Sequence, residues 1–337
     1  MNSFIKKNIN FIIGILIGIV CLILWFIIID FDEFLKYFHK FDLKFALLFS
    51  FFYIFAYFLR SLRWKIILNP IYKMKVFESF RIFMAGMLLN YLIPIRVGEL
   101  AKSFILKKNK GIGIAKTLPS IFIDKMTDLF PIMIILVLIP LITVQLNGTL
   151  YTIIFLLLFI YIAFLGFLFF AVNHKHIALK FTDKLLFIFP KKYKNRLEFF
   201  FFNFVEGMSV MKGRIKDYVI VYGLTVLAVL SESLYIYAVF HSFGASNTTY
   251  LRIMFGYTLM NLTYILPTPP VQIGSNQFLW VLIFSFALGI DKNLTGAAVV
   301  FSHFLTSVWI FLVGGISFSV IGVKIKEAFR QSHPQEK

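Results

Sequence analysis

Acidic residues are scarce in this 337-residue chain: Asp and Glu total 16 against 34 Lys and Arg, for a formal net charge of +18. Charge of either sign is thin, at 15% of residues, while hydrophobic residues reach 60% and aromatic residues 19%. Mean hydropathy is +0.85. A soluble fold of this length has too little interior to hide so much apolar surface, so the excess has to face lipid. Cysteine is nearly absent. Cys21 is the single copy, which excludes an intrachain disulfide and leaves the redox compartment unread. No Walker loop, dinucleotide fingerprint or cluster with metal-ligand spacing occurs, so no cofactor, metal or catalytic residue is expected, and nucleotide-driven pumping within this chain is not expected either. The basic surplus does not point to nucleic acid. Lys and Arg accumulate in the cytoplasmic loops of membrane proteins, which accounts for it.

What the chain does have is long apolar runs. A helix needs roughly 20 mostly apolar residues to cross a hydrocarbon core about 30 Å thick. Six runs qualify: Asn10–Ile29, Phe41–Leu62, Leu118–Val144, Leu150–Val172, Asp217–Phe240 and Thr295–Val323. The first follows Lys6 and Lys7 and lacks a small-residue cleavage pattern, so it reads as an uncleaved transmembrane helix. Two further apolar stretches are broken. Residues 76–106 are interrupted by Pro94, Arg96, Gly98 and Glu99, and residues 250–290 by Pro267, Pro269, Pro270 and Gly274. Proline removes a backbone donor and glycine permits close backbone approach, so both stretches read as helix–break–helix hairpins. Residues 173–216 alternate Lys and Arg with Phe and Leu, which suggests amphipathic helices on the cytoplasmic surface, attracted to anionic lipid. The tail, 327–337, is polar and reads as disordered.

Loop charge fixes an orientation. With both termini cytoplasmic and both hairpins entering and leaving on one face, nearly all Lys and Arg collect inside, including the run from Arg60 to Arg81. If either hairpin crossed fully, basic loops would fall outside. The expected fold class is therefore an all-α integral membrane protein of the cytoplasmic membrane, with about six transmembrane helices plus two re-entrant hairpins. The hairpins dip from opposite faces, so residues 1–146 and 147–326 read as an inverted-topology repeat, an arrangement that places substrate sites at broken helices near the midplane.

Charge inside a membrane costs at least about 2.5–3.5 kcal/mol and needs a reason. Arg96 and Glu99 lie at the first hairpin tip. Asp124, Lys125 and Asp128 lie near the start of the third run, with Asp124 and Asp128 on one helix face. Glu232 lies within the fifth run and His303 within the last. Arg96 is suited to a phosphate by its planar fork or to an ion pair with Glu99, Asp124 or Asp128. Glu99, Asp124, Lys125, Asp128 and Glu232 are candidates for ion pairing or proton coupling, and His303 for hydrogen-bonded packing. Asn147, Asn247 and Asn293 sit in Asn-x-Ser/Thr sequons of expected outer loops.

Asn90-Tyr-Leu-Ile-Pro-Ile-Arg-Val-Gly-Glu99-Leu-Ala-Lys102, then Ile123-Asp-Lys-Met-Thr-Asp128, then Leu266-Pro-Thr-Pro-Pro-Val-Gln-Ile-Gly274, resemble the flippase-like, lysylphosphatidylglycerol-synthase transmembrane-region family. Its pattern reads roughly Asn-x-x-x-Pro-x-Arg-x-Gly-Glu, then acid-Arg-x-x-Asp, then Pro-Gly-Gly-x-Gly-x-x-Glu. Asn90, Pro94, Arg96, Gly98, Glu99 and Asp128 match. Asp124 and Lys125 stand where Glu and Arg are usual, Pro270 and Val271 in place of the glycine pair, and Gln277 where Glu is usual. The resemblance implies movement of a phospholipid, modified lipid or polyprenyl-phosphate-linked lipid between leaflets. On that reading Arg96 and Lys102 neutralise a phosphate while Asn90 and Asn261 line the hairpin tips. The alternatives are a membrane-embedded aminoacyl- or glycosyl-lipid transferase, or a partner that recruits a lipid-modifying transferase. The aminoacyl-transferase domain of the fused relatives has no counterpart here, so an enzyme is the weaker expectation.

Overall fold

A computed structural model describes residues 3–93, 98–142, 148–173, 214–263 and 269–322. Arg96, Pro94, Pro267, the sequon at Asn147, nearly all of the basic stretch 173–216 and the tail 327–337 lie outside them. The described residues are helical throughout, with no strand. In chain order the helices are α1 (Ser3–Ile28), α2 (Phe31–His39), α3 (Leu43–Phe49), α4 (Phe51–Leu68), α5 (Val76–Leu92), α6 (Gly98–Lys110), α7 (Ile114–Ile142), α8 (Gly148–Asn173), α9 (Ile215–Ser242) and α10 (Tyr250–Thr263). A tight turn at Pro270–Gln272 leads to α11 (Ser275–Trp280), which continues as a π-helical segment, Val281–Ala287. Last come α12 (Lys292–Trp309), a second π-helical turn (Ile310–Gly314) and α13 (Gly315–Ile321).

Three of these units are long and apolar enough to cross a membrane: Leu43–Leu68, Ile215–Ser242 and Lys292–Ile321. α7 and α8 run 29 and 26 residues, or roughly 40 Å each at 1.5 Å per residue. α1 bends by 83° into α2. Asp30 fixes that bend, its Oδ1 accepting from the backbone N–H groups of Asp32 (3.1 Å) and Glu33 (3.2 Å). The mixed-charge segment after the first run is thus a short amphipathic helix rather than a plain connector. It is clasped to the start of α12: Asn293 Oδ1 accepts from the Asp30 N–H (2.9 Å) and Tyr37 donates to Asp291 (3.0 Å). Asn293 is buried, so its sequon is closed to modification in the folded chain, whereas Asn247 is exposed.

Both broken stretches fold back on themselves. Along the first, Gly86 meets Gly98, Phe83 meets Lys102 and Glu78 meets Lys110, so α6 retraces α5 in the opposite direction. The close approach requires glycine: a Cβ on Gly98 would run into the Gly86 carbonyl oxygen. Along the second, Gly256 packs on the Phe284 ring and the Arg252 guanidinium donates to the Leu288 carbonyl, so the π-helical segment retraces α10. Each described arm is at most 17 residues, at or below the lower end of the roughly 17–25 residues of a spanning helix.

α4 packs along α9, and the two form the centre of the bundle. α5 lies against α4 and the end of the last helix, and α10 against α9 and α7. The buried core is aromatic, with Trp64, Phe83, Tyr235, Phe240 and Phe255 essentially inaccessible. Leu16, Val20 and Ile27 of α1, Phe304 of α12 and Val320 of α13 are more than half exposed, forming an apolar exterior far larger than soluble surfaces carry.

One expectation needs correcting. Arg60 and Arg63 read from sequence as the start of an inner basic loop, but α4 continues through both to Leu68. Arg63 is 0% exposed. They stay inside because acids on neighbouring helices meet them.

Candidate functional site

Four cations and four acids interlock across four helices. α4 presents Arg60 and Arg63 three residues apart, hence on one face. Arg63 binds both carboxylates that α7 sets at i and i+4: Nη2 to Asp124 Oδ1 at 2.8 Å, and Nη1 to Asp128 Oδ1 at 2.6 Å. Its Nη1 also donates to Thr225 Oγ1 of α9 (3.1 Å). α6 brings Glu99 and Lys102, again three apart. Lys102 Nζ lies 2.6 Å from Glu99 Oε2 and 3.5 Å from Asp124 Oδ2, over the rings of Trp64 and Phe83. Lys125 Nζ bridges Glu99 (2.8 Å) and Asp128 (3.8 Å). Arg60 reaches the other way, with Nη1 2.5 Å from Glu232 Oε2 of α9 and Nη2 donating to Tyr257 Oη of α10 (3.0 Å). The Tyr257 hydroxyl in turn donates to Glu232 Oε2 (2.6 Å). A buried ion is tolerable only with such partners, since desolvation alone costs several kcal/mol per ion.

This network forms one wall of a cavity of about 490 Å³. Arg60, Glu99, Lys125, Asp128 and Glu232 face it, whereas Arg63, Lys102 and Asp124 stand behind. The rest of the lining includes tyrosines 53, 57, 91, 235 and 257, together with Trp280 and His303. Both hairpins contribute: Asn90 and Tyr91 from the first, Asn261, Gln272 and Asn276 from the second. α5 of the first hairpin lies against the Pro270–Gln272 turn of the second.

A hydrogen-bond chain ties the second tip to the last helix. The Gly274 N–H donates to Gln277 Oε1 (2.8 Å), and Gln277 Nε2 lies 2.9 Å from His303 Nδ1. Since the amide nitrogen donates, His303 Nδ1 accepts and Nε2 carries the proton. That Nε2 is 2.8 Å from the Val271 carbonyl oxygen and 2.8 Å from Tyr91 Oη of the first hairpin.

The profile of the lysylphosphatidylglycerol synthase TM region matches residues 11–314, nearly all of the described structure. The chain belongs to that family. It is accordingly a membrane protein with transmembrane helices, in a family concerned with membrane lipid. No curated protein and no solved structure matches it.

The family pattern explains an oddity of the second tip. Val271 and Gln272 have φ of 57° and 58°, the left-handed region that β-branched residues rarely enter. Counted back from Gly274 and Gln277, the pattern's two glycines fall on Val271 and Gln272, one position later than Pro270 and Val271. The left-handed backbone shows why glycine is usual there. Gln277 also changes the chemistry of its position: a carboxylate could accept from the Gly274 N–H but could not donate to His303.

Among the residues singled out from sequence, Asn90, Glu99, Lys125, Asp128, Glu232 and Asn261 line the cavity. Lys102 and Asp124 are buried behind it, Gly98 and Gly274 are the close-approach points of the tips, and Pro269 and Pro270 shape the second turn. Gly274 packs so tightly on α1 that a Cβ would meet the Gly18 carbonyl oxygen. Arg60, Arg63, the tyrosines and Asn276 were not anticipated. A signal for the two arginines existed: Ile66, Ile67 and Leu68 resume the apolar run beyond them.

Proposed function

We propose that the protein passes a lipid head group across the bilayer, as a flippase or scramblase, with the head group occupying the cavity between the hairpin tips. The observation that carries this is the cavity itself: a chamber of about 490 Å³ with five charged side chains among its mainly apolar and aromatic walls, bounded by two broken helices. Non-helical backbone at membrane depth is tolerated only where protein or a wet cavity receives it. The packing supports an inverted repeat. α4 packs on α5 as α9 packs on α10, α6 on α7 as α11 on α12, and α5 on the end of the last helix as α10 on α7. α4 and α9, the corresponding members, meet each other. In this reading six helices span, both hairpins are re-entrant, both termini are cytoplasmic and the location is the plasma membrane.

The four acids Glu99, Asp124, Asp128 and Glu232 are each matched by a cation other than Arg96. We assign the lipid phosphate to Arg96, whose planar guanidinium fork suits it. Lys102 contributes at one remove by holding Glu99. An amide at Gln277, where the family has an acid, favours movement without proton coupling. Reconstitution in liposomes tests the reading by following leaflet exchange of labelled phospholipids and polyprenyl phosphates. Exchange is expected from wild type and at least about tenfold less from Arg96→Ala, the loss of one charge-assisted contact. No exchange of any lipid by well-folded protein would sink the proposal in favour of a transferase or a partner role.

A further inference from the structure

We infer that Lys125 is a second contact for the lipid phosphate, the cation of the network that turns from its acids to an incoming anion. The inference rests on the lipid-passage reading and adds a head-group residue to it. Lys125 projects from α7 and borders the cavity. Its side chain is 40% exposed, whereas those of Arg60, Lys102 and Arg63 are 11%, 2% and 0% exposed. Of the four cations in the network, it is the one a ligand in the cavity can reach most freely.

Exposure alone would not release it, since Nζ lies 2.8 Å from Glu99 Oε1 and 3.8 Å from Asp128 Oδ2. What releases it is that each of these acids has a second, closer cation. Glu99 Oε2 is 2.6 Å from Lys102 Nζ, and Asp128 Oδ1 is 2.6 Å from Arg63 Nη1. When Lys125 swings away, neither carboxylate is stranded, so the large penalty for leaving a buried charge unpaired does not arise. Arg60 lacks that freedom, because it is the cation that meets Glu232. Lys102 also shares its acids with other cations, but it is held behind the wall over the rings of Trp64 and Phe83.

The chemistry of the side chain suits the task. Lysine carries a compact charge on a flexible four-carbon stem, with three donors that rotate freely. An ionised phosphate presents acceptors only, and an ammonium meets it through charge-assisted hydrogen bonds. Arginine, usual at this position in the family pattern, carries the same charge on a rigid planar fork. The place also fits. Glu99, to which Lys125 is paired, follows Arg96 by three residues, so Lys125 stands at the base of the tip where the phosphate assigned to Arg96 arrives. Free phosphate offers the same anionic chemistry, and the experiment separates the two sources.

Calorimetric titration of the full-length, detergent-solubilised protein tests this with three probes: dihexanoyl phosphatidylglycerol, dihexanoylglycerol, which lacks the phosphate, and inorganic phosphate. Wild type is expected to bind the phospholipid at least about tenfold more tightly than either other probe. Lys125→Gln is expected to lower that affinity about tenfold, and Lys125→Arg to keep it within about threefold of wild type. Phospholipid affinity unchanged in Lys125→Gln, no phospholipid binding by wild type, or inorganic phosphate bound as tightly as the phospholipid overturns the inference. Reductive methylation of wild type, read by peptide mass spectrometry, supplies a readout that a merely structural role would not move, and it decides alone if Lys125→Gln does not fold. The phospholipid is expected to slow methylation of Lys125 severalfold relative to the exposed Lys73, and dihexanoylglycerol to leave it unchanged. Methylation of Lys125 that is indifferent to the phospholipid, or slowed equally by both lipids, overturns the inference. Protection of Lys125 without leaflet exchange of any lipid would remove the passage reading and leave the contact standing. Lipid exchange at the wild-type rate in Lys125→Gln would do the reverse.

Discussion

Arg60 and Glu232 make the most direct contact between α4 and α9, through a 2.5 Å ion pair that also holds the Tyr257 hydroxyl. Removing one partner strands the other in a low-dielectric site, a cost of about 3–5 kcal/mol, whereas replacing both with apolar residues is often close to neutral. Glu232→Leu is therefore expected to lower the thermal midpoint strongly, and the Arg60→Leu, Glu232→Leu double variant to recover much of the loss. A double-mutant cycle read by thermal melting in detergent measures the coupling, expected at about 1–3 kcal/mol; additive losses would show the pair to be idle. At the second tip, Val271 and Gln272 hold left-handed backbone that costs about 1–2 kcal/mol per non-glycine residue. Val271→Gly is expected to stabilise the protein by about 1 kcal/mol despite the larger unfolded-state entropy of glycine. A lowered midpoint would mean that Val271 packing outweighs the strain.

Among the elements, the bent pair α1–α2 carries a pH signature of its own. Partial burial and the hydrogen bond to Asp291 push the Tyr37 hydroxyl up to about 12 from its ordinary 10.0. The sign follows from linkage: with the folded pKa raised, the contribution is complete below about pH 10 and is lost as pH climbs through 12. Wild type is expected to melt above Tyr37→Phe at pH 8, with the difference closing between pH 10 and 12. A pH-independent difference would assign the effect to packing alone. The existence of these elements was largely legible in the sequence. Apolar runs of spanning length mark the long helices, and Pro and Gly mark the breaks, because both signals are local. Helix ends were less legible. The second run appeared to end at Arg60–Arg63 because charge normally marks a membrane boundary, and only partners 61 to 172 residues away in sequence reverse that. The cavity was half legible. Isolated acids in apolar runs betray themselves by cost, while the tyrosines and Asn276 look like ordinary helix residues until the tertiary fold gathers them.

At the scale of the molecule, the orientation has a direct test. In a Cys21→Ala background, single cysteines are introduced by Lys73→Cys and Asn247→Cys, both at exposed sites. A membrane-impermeant thiol reagent on intact cells is expected to label the Asn247→Cys protein, and the Lys73→Cys protein only after permeabilisation. The opposite pattern would invert the topology and move the basic loops outside. The eight interlocked side chains carry a further consequence. Four positive and four negative charges sum to zero, and they belong to helices of both halves of the bundle. A membrane voltage does work of about 2.3 kcal/mol per 100 mV on each elementary charge carried across the full field. On a neutral cluster that moves as a body, this work cancels. These eight charges therefore add nothing to any voltage dependence of the bundle, and a voltage dependence measured for the protein would have to come from charges outside the cluster, Arg96 among them.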